Sequence, residues 1–207
     1  MKLALFDKDS TLITDESMDM LGDLKGKRKE VAEVTAAGMG GNLDFKESVY
    51  RRMKILKPSK KDFVKVAQKV EHSNGAVELI SYLRENGYVI GMISGGYDQV
   101  AEKVASDLGM DFYISNRVIF DNNGEYHDVE FNVYNNKATL VNFLSSVFDA
   151  DFVFAIGDGM NDLRMLQAAD LGVVYNSQKL RDKLPNNAFI EHDLSKAIEI
   201  ISSYNGF

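Results

Sequence analysis

The sequence contains no cysteine, and only two of its 207 residues are proline. Without cysteine the chain forms no disulfide, no thiolate zinc site and no cysteine nucleophile, and it is compatible with a reducing compartment. Few prolines and the lack of any low-complexity tract argue against a long disordered region. Nearly the whole chain should therefore fold.

Long apolar runs are also missing. The opening apolar residues reach Asp7 too early for a signal peptide, and no later run approaches the length that spans a bilayer. The formal net charge of -7 disfavours a nucleic-acid partner, because affinity for nucleic acid comes largely from Lys and Arg that neutralise phosphates. We expect a cytoplasmic protein that binds neither membranes nor nucleic acid.

Three short apolar runs lack a polar face: residues 3–6, 89–93 and 152–156. Such runs are typical of parallel strands that are covered on both sides. Each is followed by a small or acidic turn and then by a helical pattern, which predicts an α/β fold built from βα units. Ligands of open α/β sheets bind at the carboxyl ends of the strands, so the three turns should converge on one site.

Two segments interrupt this pattern. Residues 14–72 show only helical patterns, including a capping box that starts a helix after Pro58, and we predict a helical cap domain there. The catalytic core would comprise residues 1–13 and 73–207. Within it, residues 117–131 alternate around an Asn-Asn-Gly turn and predict a hairpin.

Two carboxylates, Asp7 and Asp9, follow the first predicted strand. One can attack phosphorus as a nucleophile, while the other gives a proton to the leaving group. Direct ligation of Mg²⁺ should keep Asp7 ionised, whereas Asp9, which offers the metal only its backbone carbonyl, can carry a proton. An ordinary polar turn after a strand has the same composition.

The turns after the other two strands also carry polar groups. Residues 157–162 include Asp158, and their carboxylates can complete an octahedral Mg²⁺ shell; acids in the first turn of a helix are the alternative. Ser94 and Gly95 offer a hydroxyl and backbone N–H groups to phosphate oxygens, although a flexible turn has the same residues.

A lysine stands on the buried face of a predicted helix. Lys137 comes three and four residues before Leu140 and Val141, which begin the apolar stripe. A cation in the first turn opposes the helix dipole. Its ammonium can neutralise a transferring phosphoryl group, or its stem can pack while the ammonium reaches solvent.

Two charged residues of the helical segment are candidates for substrate recognition. Arg52 shares an apolar face with Phe45, whereas Arg51 points away and has Glu47 as its partner. Arg52 can grip a carboxylate bidentately, or its stem can simply be buried. Glu16 can bind an amino group, although an acid in a first helical turn needs no such role.

Together these motifs resemble those of the haloacid dehalogenase superfamily of aspartyl-phosphate hydrolases. They occur in the order of that superfamily: FDKDSTL at 6–12, ISGG at 93–96, Lys137, and GDGMND at 157–162. Within it the sequence is most similar to the phosphoserine phosphatase family, because Glu16, residues 43–48 and Arg52 fall at that family's substrate-recognition positions. The hairpin also matches, so the resemblance covers essentially the whole chain. Lys8 departs from it, since the family usually has an apolar residue there.

The resemblance implies a role for each matching residue. Asp7 would be the nucleophile and a metal ligand, and Asp158 would complete the protein's metal ligands. Asp9 would act as acid, then as base, and lend its backbone carbonyl to Mg²⁺. The other implied roles are phosphoryl binding for Ser94, Gly95, Lys137 and Asn161, binding of the substrate's amino and carboxylate groups for Glu16 and Arg52, lid closure for Phe45, and a supporting contact to the metal ligands for Asp162.

The implied activity is Mg²⁺-dependent hydrolysis of O-phospho-L-serine to L-serine and phosphate, the last step of serine biosynthesis, through an aspartyl-phosphate on Asp7. The implied fold is a Rossmann-like core with a helical cap, as a monomer or homodimer whose partner is a small phosphorylated amino acid. One alternative applies the same chemistry to another small phosphate such as phosphohomoserine, or transfers the group to an acceptor. A non-catalytic phosphate-binding module is a third possibility. Glu16 and Arg52 favour phosphoserine, because a sugar phosphate would use neither charge in this way.

Overall fold

The computed structural model describes residues 1–39 and 43–204. Residues 40–42 of the predicted cap and 205–207 of the predicted core lie outside the described residues.

Within the described residues, seven strands form one sheet in the order β4-β3-β2-β1-β5-β6-β7. All neighbouring pairs are parallel except β3 and β4, which form an antiparallel hairpin. The strands are β1 (Lys2–Phe6), β2 (Tyr88–Tyr97), β3 (Phe112–Phe120), β4 (Tyr126–Glu130), β5 (Phe152–Gly157), β6 (Leu171–Tyr175) and β7 (Ala188–Ile190).

Helices connect and cover the strands. They are α1 (Ser17–Leu24), α2 (Arg28–Met39), α3 (Phe45–Leu56), α4 (Lys60–Ala67), α5 (Ala76–Glu85), α6 (Asp98–Leu108), α7 (Lys137–Val147), α8 (Leu163–Ala168), α9 (Gln178–Lys183) and α10 (Ala197–Ser203). None of them, within residues 1–39 and 43–204, has the length and apolar character needed to span a bilayer.

Alternate residues of β1 face opposite sides of the sheet. Ala4 and Phe6 pack in a core cluster with residues of α5, α6 and α10, whereas Leu3 and Leu5 pack with residues of α7, α8 and α9. This burial on both faces explains why the strand is apolar at every position. Because β1 lies between β2 and β5, the carboxyl ends of these three strands are adjacent.

The α/β fold, the three apolar strands and the hairpin are confirmed, with one local difference. We predicted a turn at residues 94–96 that leads into a helix, whereas β2 continues to Tyr97 and α6 begins only at Asp98. The pairing of β2 with β3 shifts register between Ser94 and Tyr97, so the Ser-Gly-Gly segment is an irregular strand end. A bulge of this kind turns backbone groups away from the ladder.

The named elements between residues 14 and 72 of the described chain are all helices, and the predicted capping box at Ser59 and Asp62 starts α4. Ser59 also forms an isolated antiparallel bridge with Glu125. The two ends of this segment run side by side. Ile13 and His72 form an antiparallel bridge, and the Thr14 amide donates to the Glu71 carbonyl at 3.0 Å. The segment therefore leaves and rejoins the sheet at one place, while its status as a separate domain stays a prediction.

Helix α4 also contacts the β3–β4 hairpin. The Lys60 amide donates to the Gly124 carbonyl at 2.8 Å, and the Tyr126 amide donates to the Pro58 carbonyl at 3.0 Å. On α4, Phe63 packs edge-on against Tyr97. The start of α4 is thus held to the sheet by backbone bonds and by ring packing.

The centre of the sheet should dominate stability. Phe154 of β5 is fully buried against Phe6, so Phe154→Ala leaves a cavity and should lower the free energy of unfolding by about 3–5 kcal/mol. The matched control is Phe143→Ala, because Phe143 of α7 is 59% exposed and should change stability by less than about 0.5 kcal/mol. Urea denaturation measures both variants, and equal losses would contradict the placement of Phe154.

Candidate active site

The first turn of the site follows β1 directly. The Asp7 amide still donates to the Ile156 carbonyl of β5 at 3.0 Å, which fixes the start of the turn to the sheet. Residues 8–12 then form an irregular helical turn in which Ser10 has a positive φ of 54°. Asp9 lies within this turn, and the Ile13–His72 bridge follows directly after it.

Three carboxylates meet at the ends of β1 and β5. Asp7, Asp158 and Asp162 each offer an oxygen within 4.8 Å of the others. Asp162 is fully buried and Asp7 is 5% exposed. A Cβ at Gly157 would lie 2.7 Å from the Asp162 carboxyl group, so the absence of a side chain at Gly157 makes this approach possible.

Lys137 joins two of these carboxylates. Its Nζ donates to Asp7 Oδ1 and to Asp162 Oδ1, each at 2.5 Å, and its side chain is 4% exposed. Burial alone would lower the pKa of Lys137, but Asp162 and Asp7 raise it above its ordinary value. The ammonium therefore stays charged over the whole physiological range.

The carboxylates themselves resist ionisation. Burial, with repulsion from Asp162, raises the pKa of Asp7 well above its usual value, although Lys137 opposes this rise. Burial, with repulsion from Asp162 and then from Glu16, raises the pKa of Asp158 to about 7. The Thr11 hydroxyl opposes that rise by donating to Asp158 Oδ1 at 3.1 Å.

This cluster fits a divalent cation. When all three carboxylates are ionised, the single Lys137 ammonium leaves two negative charges uncompensated. Grouped carboxylate oxygens are the donors that hard cations such as Mg²⁺ prefer. The pKa values of Asp7 and Asp158 are raised because burial and neighbouring carboxylates disfavour a further negative charge, and a bound cation would relieve this repulsion.

The Asp9 side chain contacts Ser17 and Lys8 rather than the carboxylate cluster. Its Oδ1 accepts from the Ser17 amide at 3.0 Å and from the Ser17 hydroxyl, and it lies 3.0 Å from Lys8 Nζ. Nearby, Ser10 Oγ donates to Glu16 Oε1 at 2.9 Å. Desolvation at this rim, together with repulsion from Asp9, raises the pKa of Glu16, so the two acids lie close to each other.

The irregular end of β2 forms another side of the site. The Gly96 amide donates to Ser94 Oγ at 3.0 Å, and the fully buried Asn116 holds the Gly95 carbonyl through its Nδ2 at 2.9 Å. A Cβ at Gly95 would lie 3.7 Å from Phe45 Cζ. Phe45 of α3 therefore lies next to Gly95, while its role in lid closure stays a prediction.

Arg52 and Arg51 differ as predicted. Arg51 pairs with Glu47 at 2.5 Å on the outer side of α3. Arg52 is half-buried, its Nε donates to the Ser48 carbonyl at 3.2 Å, and its cation partly opposes the rise that burial causes in the pKa of Tyr97. Arg52 thus faces the end of β2.

The structure brings the predicted residues together to different degrees. Asp7, Asp158, Asp162 and Lys137 form one contact group, and Asp9 and Glu16 lie near enough to repel each other. Asn161 lies at the edge, exposed, with its Nδ2 3.5 Å from Asp162 Oδ1. The catalytic and binding roles of all these residues stay predictions.

Sequence reasoning missed two hydroxyl groups. The Thr11 hydroxyl, after β1, donates to Asp158, after the neighbouring strand β5. The Ser17 hydroxyl, at the start of α1, donates to Asp9. Both residues carry a weak signal: Thr11 stands within the first motif, and Ser17 follows the candidate residue Glu16 directly. Their partners depend on tertiary geometry, which spacing alone does not give.

Comparison with known proteins matches this picture. Residues 1–170 match the family model of haloacid dehalogenase-like hydrolases. The phosphoserine phosphatase of Lactococcus lactis is 34% identical over 84% of this chain and 82% of its own length. That of Methanocaldococcus jannaschii is 30% identical over 97% of each chain.

A solved structure described as a phospho-aspartyl intermediate analogue of phosphoserine phosphatase superposes with a TM-score of 0.87. It is 30% identical, and the match covers 96% of this chain and 98% of that chain. The strand order, the carboxylate cluster and these matches agree, and the chain belongs to the family of haloacid dehalogenase-like hydrolases.

Proposed function

We propose that this protein is a phosphoserine phosphatase, which hydrolyses O-phospho-L-serine to L-serine and phosphate. The observation that carries the proposal is the buried pair of Asp7 and Lys137 within a carboxylate cluster at the carboxyl ends of the central strands. Relatives that match 84% and 97% of this chain are named phosphoserine phosphatases. The proposed pathway role is the last step of serine biosynthesis.

The cofactor in this proposal is Mg²⁺. Asp7 and Asp158 would hold it with their carboxylates and Asp9 with its backbone carbonyl, while Asp162 keeps Lys137 in place. When bound, the cation supplies positive charge that stabilises the phosphoryl oxygens in the transition state.

In the first half of the reaction, a carboxylate oxygen of Asp7 forms a bond to phosphorus as the bond from phosphorus to the ester oxygen breaks. Asp9 gives its proton to that ester oxygen, and serine leaves as a neutral alcohol. Lys137, Ser94, Gly95 and Asn161 hold the phosphoryl oxygens.

In the second half, Asp9 takes a proton from a water molecule. The water oxygen forms a bond to phosphorus as the bond to Asp7 breaks, which releases phosphate, restores the Asp7 carboxylate and leaves Asp9 protonated again. Asp9 thus exchanges one proton in each direction during a full cycle.

Substrate recognition falls to the helical segment. Glu16 would bind the ammonium of serine and Arg52 its carboxylate. Phe45, which lies over Gly95, would exclude water as the helices close on the substrate. The division into a cap at 14–72 and a core at 1–13 and 73–207 belongs to the same proposal. The cytoplasmic location, the lack of a nucleic-acid partner and a monomeric or dimeric state stay predictions.

Asp7→Asn should abolish turnover. The amide is a poor nucleophile, so phosphate release from O-phospho-L-serine with Mg²⁺ should fall by at least about 10³-fold. Asp182→Asn is the matched control, because Asp182 is exposed and bonds only Gln178 among the contacts described. A phosphate-release assay measures both variants. A parent protein that hydrolyses other phosphomonoesters but not phosphoserine would overturn the proposed substrate.

Arg52→Ala should weaken recognition of the substrate carboxylate. Loss of a charge-assisted contact should raise KM for O-phospho-L-serine about 10- to 100-fold, with little change for p-nitrophenyl phosphate, which has no carboxylate. The neighbouring Arg51→Ala removes the same charge from the outer face of α3 and should leave both KM values unchanged. Equal increases for the two substrates would instead favour another small phosphate.

Binding of Mg²⁺ should depend on pH. The pKa of Asp158 is about 7 in the metal-free fold, so protons compete with the cation below that pH, and affinity should fall from about pH 8 to about pH 6. The raised pKa of Asp158 means that the metal-free fold is stabilised when Asp158 is protonated. This contribution to the free energy of unfolding is lost as pH rises through about 7.

Isothermal titration calorimetry and thermal unfolding with and without Mg²⁺ test this expectation. The metal-dependent rise in Tm should be larger at the higher pH, and Asp158→Asn should remove most of the effect. Affinity that is independent of pH would show that Asp158 does not ligate the metal.

A further inference from the structure

Lys8 is a fully buried lysine between the two acids of the first motif. A buried ammonium is costly unless charged or polar partners surround it. Among residues 1–39 and 43–204, Lys8 Nζ has two such partners: it donates to Ser17 Oγ, and it lies 3.0 Å from Asp9 Oδ1. Its buried charge is therefore paired with Asp9.

Ser17 completes a triangle with these two residues. Its hydroxyl accepts from Lys8 and donates to Asp9 Oδ1, so the donors run in one direction from Lys8 to Asp9. Its amide also donates to Asp9 Oδ1 at 3.0 Å. Ser17 is the first residue of α1, where backbone amides have no partner within the helix and point towards an anion.

The two oxygens of Asp9 consequently differ. Oδ1 is surrounded by the Lys8 ammonium, the Ser17 amide and the Ser17 hydroxyl. Oδ2 faces the irregular end of β2, where a Cβ at Gly96 would lie 3.0 Å from it, 3.1 Å from Ser94 Oγ and 2.9 Å from Lys8 Nζ. Oδ2 is thus the oxygen turned towards the segment that is proposed to hold the phosphoryl group.

We propose that Lys8 is a positioning residue that, together with Ser17, fixes the rotamer of Asp9 so that Oδ1 is held and Oδ2 meets the ester oxygen of the substrate. This inference rests on the proposed function, in which Asp9 exchanges protons with that oxygen. Gly96 is part of the arrangement, since a side chain there would enter the space between Lys8, Asp9 and Ser94.

The test is the variant Lys8→Met, which keeps the length of the side chain and removes the ammonium. The value of kcat/KM reports steps up to transfer of the phosphoryl group to Asp7, where Asp9 acts as the acid. Serine is a poor leaving group that needs the proton, whereas p-nitrophenolate leaves without one. For O-phospho-L-serine kcat/KM should fall about 10- to 100-fold, and for p-nitrophenyl phosphate less than about threefold.

The control removes an exposed lysine that, like Lys8, pairs with an aspartate. Lys103 of α6 pairs with Asp107 at 2.5 Å, and Lys103→Met should leave both values unchanged. A fall that is equal for the two substrates would mean that Lys8→Met damages the whole site, and no fall would mean that Asp9 needs no such support. Either result overturns the proposal.

A second variant and a crystal structure show whether a loss of activity comes from misfolding or from a displaced Asp9. Ser17→Ala removes the hydroxyl from the triangle and should cause the same selective loss for O-phospho-L-serine. In a crystal structure of Lys8→Met, the Asp9 carboxylate should leave its place beside Ser17. If the parent protein hydrolyses no phosphomonoester, the proposed function fails, while an unmoved Asp9 in the variant structure overturns the positioning role independently.

Discussion

A single buried ammonium allows acids to accumulate at the end of the sheet. Lys137 bonds Asp7 and Asp162, two side chains that would otherwise repel each other in a region with little solvent. Breaking a buried charge pair of this type commonly costs about 3–5 kcal/mol, because the remaining charge loses its partner. The cluster is still short of positive charge, and this shortage fits it to a divalent cation.

The topology supplies what the side chains alone could not. Asp7, Lys137 and Asp158 are far apart along the chain, and they meet because β1 lies between β2 and β5 while α7 begins beside them. Close packing also restricts backbone positions. A Cβ at Gly157 would lie 2.7 Å from the Asp162 carboxyl group, so close packing requires glycine at the position before Asp158, whatever the role of that acid.

Prediction from sequence succeeded where a pattern repeats locally. The apolar runs gave the central strands, the capping box gave the start of α4, and the apolar stripe correctly placed Lys137 on the inner face of α7. The extension of β2 to Tyr97 was missed, because a bulge depends on the neighbouring strand. The bonds of Thr11 and of Ser17 were missed for the same reason: each joins side chains whose meeting depends on the fold and on rotamers.

Two buried lysines form ion pairs with different acids of the site. Lys137 pairs with Asp7 and Asp162, whereas Lys8 pairs with Asp9. Chemistry that needs one carboxylate as a nucleophile and another as a proton carrier requires unlike surroundings for the two. Asp7 has burial and neighbouring acids, whereas Asp9 has a serine amide and hydroxyl at a helix start. Lys8 stands between Asp7 and Asp9 in the sequence, but among the contacts described its ammonium pairs only with Asp9. Lys8 is therefore compatible with a nucleophilic role for Asp7 and a proton-transfer role for Asp9.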